Sequence, residues 1–444
     1  MEKLFESGIT PKKFINFVWP SVLMMVVIAL YYGIDSVFVA NFVGEEALAG
    51  LSIAYPVQGI MWGVAVMLAA GSSAIIAIKM GEGKQKEADE KYTSICVLSV
   101  VLGCVFTAVC LVFMDSLVSF MGATDALRQY CHDFLGILVW GFPAAFLGVI
   151  FEYFIRVDGR PGFTLILYVS GGAVHLILDY IFMGPMNMGI KGAACANIAG
   201  LVVVMAAGAA YFLFMKTKLS FTAFKNDWRF IGHCFVNGSS ELVSESSAGI
   251  TTFFFNMVMI GMAGETGVAA ISIVLNVHYL MISVYLGFIM GVAPLISYFY
   301  GAKDFDKVNK ILKYSKRFII LAAVISGAVC LIFGEYIVMV YERPGSRLFE
   351  MAVTGTKLLS AALLLGGVNI FGSGFFTAYG NGIVSALISS SRGLIMVIAG
   401  MYILSWLFGI TGLWLTLTFA EAVTLIISFA MYKKYESIYH YKLL

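Results

Sequence analysis

Apolar residues run through the chain in long blocks separated by short polar connections. The period-two alternation of a membrane barrel is absent. Twelve blocks can be marked, at residues 14–42, 50–78, 93–114, 131–155, 163–184, 192–214, 232–262, 271–299, 317–341, 357–380, 385–407 and 412–432. Each exceeds the roughly 20 residues needed to cross a hydrocarbon core. Backbone groups in lipid must be satisfied within the segment, which leaves helices. The pattern predicts an all-α polytopic membrane protein with twelve transmembrane helices.

The pattern also repeats when the chain is shifted so that Gly44 falls on Gly264. VGEEALAGLSI at 43–53 then lies over AGETGVAAISI at 263–273, pairing Glu45 with Glu265 and Ser52 with Ser272. At the same shift Gly71 and Gly81 fall on Gly291 and Gly301, and Gly189, Ile190 and Gly192 fall on Gly409, Ile410 and Gly412. An ungapped register that keeps turn glycines in phase over this length implies a duplicated unit. Six helices per unit is an even number, so both units enter the membrane the same way round. The expectation is two six-helix lobes, 1–215 and 232–444, related by a pseudo-two-fold axis along the membrane normal, with 216–231 as linker.

Composition strengthens the membrane reading: 60% of residues are hydrophobic and 12% charged, and mean hydropathy is +0.92. Soluble domains carry about 25% charged residues. All but five of the 28 Lys and Arg (Arg128, Lys191, Arg343, Arg347 and Lys357) are counted to one set of connections, Arg392 among them. The excess of positive charge on that side predicts that both termini are cytoplasmic in a multi-pass cell-membrane protein. The basic connections are read as topology determinants rather than a nucleic-acid surface. The seven cysteines are scattered, so neither a disulfide framework nor a metal cluster is expected. The polar start runs straight into the first block, and no cleavable leader is expected.

Ionisable residues inside the blocks are the candidates for chemistry. A carboxylate at the bilayer centre costs at least about 2.5–3.5 kcal/mol and should face protein or water. The first block holds Asp35, with Tyr31 one turn away and Pro20 as a kink or hinge. Asp179 lies about 25 Å along the fifth block, His175 is one turn before it, and Asn197 of the sixth block reaches a comparable depth. These residues form a candidate site for H⁺ or Na⁺ at Asp35 and Asp179, where burial and like charge raise carboxylate pKa values toward neutrality. In the seventh block, NGSSELVSESS at 237–247 puts Glu241, Ser244 and Glu245 on one hydrophilic stripe. With Asn369 and Glu421 they are assigned to a substrate cavity suited to cationic, apolar molecules. Glu152 is read as an interfacial partner of Arg156 at i, i+4, and no Lys or Arg is expected to pair with the other buried acids. Nucleotide-binding loops and hydrolase signatures are missing, and no cofactor is implied.

The chain resembles the multidrug and toxic compound extrusion (MATE) family over nearly its whole length. The matches are WPS at 19–21, DSVFVANFVGEEALAGLSIAYP at 35–56, KMGEGKQKEADE at 79–90, RVDGRPGF at 156–163 and HLILDYIFMGPMNMGIKGAACAN at 175–197. PLISYFYGAKDFDKVNK at 294–310 and FFTAYGNGIVSALISSSR at 375–392 continue them. The resemblance implies a cation-coupled exporter. It places the family's first-helix aspartate on Asp35, its fifth-helix Asn-x-x-x-Asp pair on His175 and Asp179, and its sixth-helix polar position on Asn197. The histidine is a departure that favours H⁺ over Na⁺. The seventh-helix glutamate of the sodium-coupled branch aligns with Glu245. That branch also uses a tenth-helix aspartate, whereas 357–380 offers only Ser360, Asn369, Ser373 and Thr377, so Glu245 is assigned to substrate. The expected function is export of organic cations or drugs by a monomer in antiport with H⁺ or Na⁺. The alternative is a flippase or polysaccharide exporter of the same superfamily, which would need basic residues in its cavity. A membrane enzyme or a sensor would need a catalytic constellation or an output domain that the sequence lacks.

Overall fold

The computed structural model describes residues 8–442, less the side chains of residues 32–37, 40, 45 and 126. Helices α1 (Pro11–Phe42), α2 (Glu45–Gly81) and α3 (Gln85–Val112) lead into short α4 (Met114–Phe120). Then come α5 (Asp125–Leu138), α6 (Phe142–Asp158), α7 (Pro161–Met183) and α8 (Ile190–Phe214). The rest is α9 (Trp228–Gly301), α10 (Phe305–Val338), α11 (Arg347–Ala378), α12 (Gly382–Ser390) and α13 (Met396–Tyr439). A single 3₁₀ turn joins α5 to α6, and a π turn at Ser391–Ile395 joins α12 to α13.

Two of these helices are too long for one crossing, and each contains one residue outside helical geometry. These are Gly264 in α9 (φ 65°, ψ −156°) and Gly409 in α13 (φ 60°, ψ −139°). Their counterparts in the first half, Gly44 and Gly189, are also at positive φ and open α2 and α8. Such backbone angles are essentially confined to glycine, so the repeat in sequence is a repeat of turns.

Packing between the halves repeats in the same way. A side-chain carbon at Gly71 would lie 2.0 Å from the Cys234 carbonyl oxygen and 2.8 Å from the Gly238 nitrogen. At Gly291 it would meet Val18, at 3.2 Å from both Cα and O. Val18 and Gly238 are themselves counterparts in the repeat, so α2 against the first segment of α9 mirrors the second segment against α1. Small residues at such crossings let membrane helices approach closely. Outward faces carry large apolar side chains, such as Ile320, Leu321, Trp406 and Ile426, as lipid contact requires.

The connection between α8 and α9 is an ordered strap on the Lys/Arg-rich side. Thr222 N donates to Thr93 Oγ1 at 2.9 Å, Ser94 Oγ donates to the Lys225 carbonyl at 2.7 Å, and the Phe221 ring lies 5.3 Å from Tyr92. It ends at Trp228, slightly before the expected residue 231.

Candidate functional site

Two adjoining cavities lie within the helix bundle. The smaller, about 370 Å³, is lined by Tyr31 of α1, His175 of α7 and Asn197 of α8. Glycines set this geometry. A side-chain carbon at Gly200 of α8 would lie 3.0 Å from the Gly171 carbonyl of α7 and 3.0 Å from His175 Cβ. Asp179 sits one turn beyond His175, fully buried, with its Oδ2 at 3.1 Å from His175 Nε2. That contact is off-axis, and the Asp179 carboxylate takes no aligned hydrogen bond among the described residues. The Tyr31 ring lies edge-on to His175 at 5.3 Å. Four of the five residues expected here are thus brought together. Asp35 falls in the span of α1, and its side chain lies outside the described residues. The helix runs through Pro20 without leaving helical dihedral angles.

The larger cavity, about 830 Å³, lies between the halves. Its walls carry Glu152 of α6, Glu241, Ser244 and Glu245 of α9, and the rings of Tyr55, Trp62, Tyr153, Tyr168 and Tyr279. Gln58, Trp62 and Tyr168 line both cavities. The polar stripe of α9 divides. Glu241, Ser244 and Glu245 face the cavity, while Asn237 donates to the carbonyls of Gly71 (3.2 Å) and Thr377 (3.1 Å) and closes its floor. On the Lys/Arg-rich side the floor is sealed by backbone contact of α2 with α9. At the other end the cavity reaches Tyr341, just beyond α10.

Three expectations need correcting. Arg392 is not in a connection: it lies ten residues into the segment that begins at Gly382, about 15 Å deep, and lines the large cavity. Its Nε and Nη2 donate to Glu421 Oε1 at 3.1 and 3.0 Å, so a buried acid does have a basic partner. Glu421 and Asn369 stand behind the cavity wall instead of lining it. Asn369 Nδ2 donates to Glu421 Oε2 at 2.7 Å, and Ser428 donates to Asn369 Oδ1 at 2.8 Å. Glu152 does pair with Arg156, but that arginine is wholly buried and Glu152 faces the large cavity, where Tyr168 donates to it. Sequence reasoning therefore missed Arg392, Glu152, Tyr168, Gln58 and Trp62. A signal exists for Arg392, which lies inside the block at 385–407 although its charge is counted with the connections.

Paired halves around a central cavity, with a buried carboxylate in an adjoining pocket, define a helical secondary transporter. The MatE family model matches the chain twice, over residues 20–181 and 247–403. The chain belongs to the MATE family of transporters, and it is a multi-pass membrane protein rather than an enzyme. It is 23% identical to the multidrug export protein MepA of Staphylococcus haemolyticus over 431 residues, covering 94% of this chain and 92% of that one. Its fold is like that of a multidrug resistance MATE transporter solved in an outward-facing conformation (TM-score 0.91, 24% identity, 97% of each chain). It is equally like a MATE structure in complex with MaL6 (TM-score 0.92, 23% identity, 99% of this chain and 98% of that one).

Proposed function

We propose that the protein is a cation-coupled antiporter that exports organic, predominantly cationic, drug-like molecules. The observation that carries this reading is the large cavity, which has three glutamates and several aromatic rings in its walls and shares Gln58, Trp62 and Tyr168 with the pocket of His175. Carboxylates set in a low-dielectric wall attract a cation, and aromatic faces add cation–π attraction. The similarity to MepA, a multidrug export protein, supports drug-like substrates.

In this reading Gly264 and Gly409 each separate two spans, giving twelve in all. The lobes are 1–215 and 232–444, and both termini are cytoplasmic. The closed floor on the Lys/Arg-rich side then makes this an outward-open conformation. H⁺ (or Na⁺) enters at Asp35 and Asp179, α1 changes its bend around Pro20, and the substrate loses its place. Rocking of the lobes completes the cycle. The flippase alternative needs a basic cavity; among the described residues Arg392 is the one Lys or Arg in a wall with three glutamates. Counterflow of ethidium in proteoliposomes tests the reading: exchange that saturates and is competed by other organic cations is expected, and its absence would remove the proposal.

A further inference from the structure

We propose that Arg392 is an anion-recognition point in the large cavity and sets the affinity for those substrates that carry a carboxylate besides their cationic group. Their cationic group meets Glu241 and Glu245, and their carboxylate meets Arg392. This rests on the export reading and assigns a specificity-determining residue within its cavity.

The arginine is placed by a local irregularity. It lies in the π turn Ser391–Ile395, and such turns are rare and concentrate at functional sites. The turn packs closely on α9, where a side-chain carbon at Gly393 would lie 3.1 Å from Ser247 Cβ. Beside Arg392 in the cavity wall are the hydroxyl-bearing Ser373 and Ser389.

The guanidinium is also held from behind. Glu421 Oε1 takes its Nε and Nη2, Asn369 fixes Glu421 Oε2, and Ser428 fixes Asn369. Arginine has five N–H donors in a planar fork. Two are engaged by Glu421, and among the described residues none takes the N–H groups of Nη1, which can meet a carboxylate. A buffered, oriented guanidinium of this kind binds a planar anion with little reorganisation.

A purely architectural role explains less. In the register of the repeat, Arg392 falls on Gly172, Glu421 on Leu201, Asn369 on Val149 and Ser428 on Gly208. The first half builds the same helices without any of the four. Apolar residues in place of a buried ion pair are commonly as stable or more so, so stability alone gives little reason for the cluster.

The test uses two dyes that differ by one ester: rhodamine 110, which bears a free carboxylate, and its cationic methyl ester, rhodamine 123. Binding to the detergent-purified full chain is read by fluorescence polarisation at neutral pH, and uptake is read in proteoliposomes. In R392Q/E421Q, which removes both charges together and leaves neither stranded, the rhodamine 110 Kd should rise roughly tenfold or more. The rhodamine 123 Kd should stay within about twofold, and R392K should restore rhodamine 110 only in part. Equal loss for both dyes, no loss for rhodamine 110, or no binding of rhodamine 110 by the unaltered chain would overturn the proposal. Absence of rhodamine 123 uptake by the unaltered chain would instead count against the export reading, with the two Kd values still deciding the role of Arg392.

Discussion

Gly81 and Gly301 meet backbone to backbone on the Lys/Arg-rich side: a side-chain carbon on Gly81 would lie 2.1 Å from the Tyr298 carbonyl oxygen, and one on Gly301 would lie 2.1 Å from that of Ile78. The two glycines are counterparts in the repeat, so each half contributes the same position to the seal. Bulk there cannot be accommodated without separating α2 from α9. Overpacking typically costs about 1–3 kcal/mol, enough to shift a two-state equilibrium by roughly five- to 150-fold. Gly301→Leu is expected to open this side. Alkylation of Cys234, which is buried at the neighbouring contact with Gly71, should rise severalfold with a membrane-permeant maleimide; unchanged labelling would remove the seal from the account.

Glu241 and Glu245 stand one turn apart on α9 and both line the large cavity. Replacing either by Gln keeps the shape and removes a charge that an organic cation would meet. Each change is expected to weaken ethidium binding by about tenfold, close to 1.4 kcal/mol. Equilibrium fluorescence titration of the purified protein measures it, and an unchanged Kd in E241Q/E245Q would exclude these carboxylates from substrate binding.

Glu421 offers a stability test that is independent of transport. Glu421→Gln leaves the Arg392 guanidinium without its charged partner, and breaking a buried pair from one side costs about 3–5 kcal/mol. A marked fall in Tm is expected by thermal-shift assay in detergent. Most of it should return in R392Q/E421Q, because the double variant strands no charge. Equal Tm values in the two variants would mean that the pair is not coupled.

Tyr168 joins the two cavities and donates to Glu152. Tyr168→Phe keeps the ring and removes the donor. Ethidium affinity should stay within about twofold while gradient-driven efflux falls, because this change alters communication between the pockets and leaves the cation contacts of α9 in place. Parallel titration and efflux assays separate the two effects.

The helices, their breaks and the duplication were legible in the sequence because lipid imposes a plain rule on long apolar blocks and because glycine alone tolerates the angles at Gly44, Gly189, Gly264 and Gly409. The grouping of Tyr31, His175, Asp179 and Asn197 followed from depth along each helix, which the constant rise per residue fixes. Rotation about the helix axis was not fixed in that way. Glu421 and Asn369 share the apolar blocks with cavity residues, yet they point behind the wall, which depends on packing between helices distant in sequence. The π turn that carries Arg392 leaves no mark in periodicity, so charge alone assigns the arginine to the solvent, where arginines in membrane proteins are usually found.

Transport driven by an imposed gradient tests the central claim most directly. Proteoliposomes carrying the full chain are loaded with ethidium and given an inward proton gradient, with Na⁺ absent or supplied in its place. The account predicts rapid loss of ethidium from the unaltered protein and a fall to the protein-free rate in Asp35→Asn and in Asp179→Asn, with folding checked by an unchanged Tm. Undiminished gradient-driven loss in both variants would contradict it.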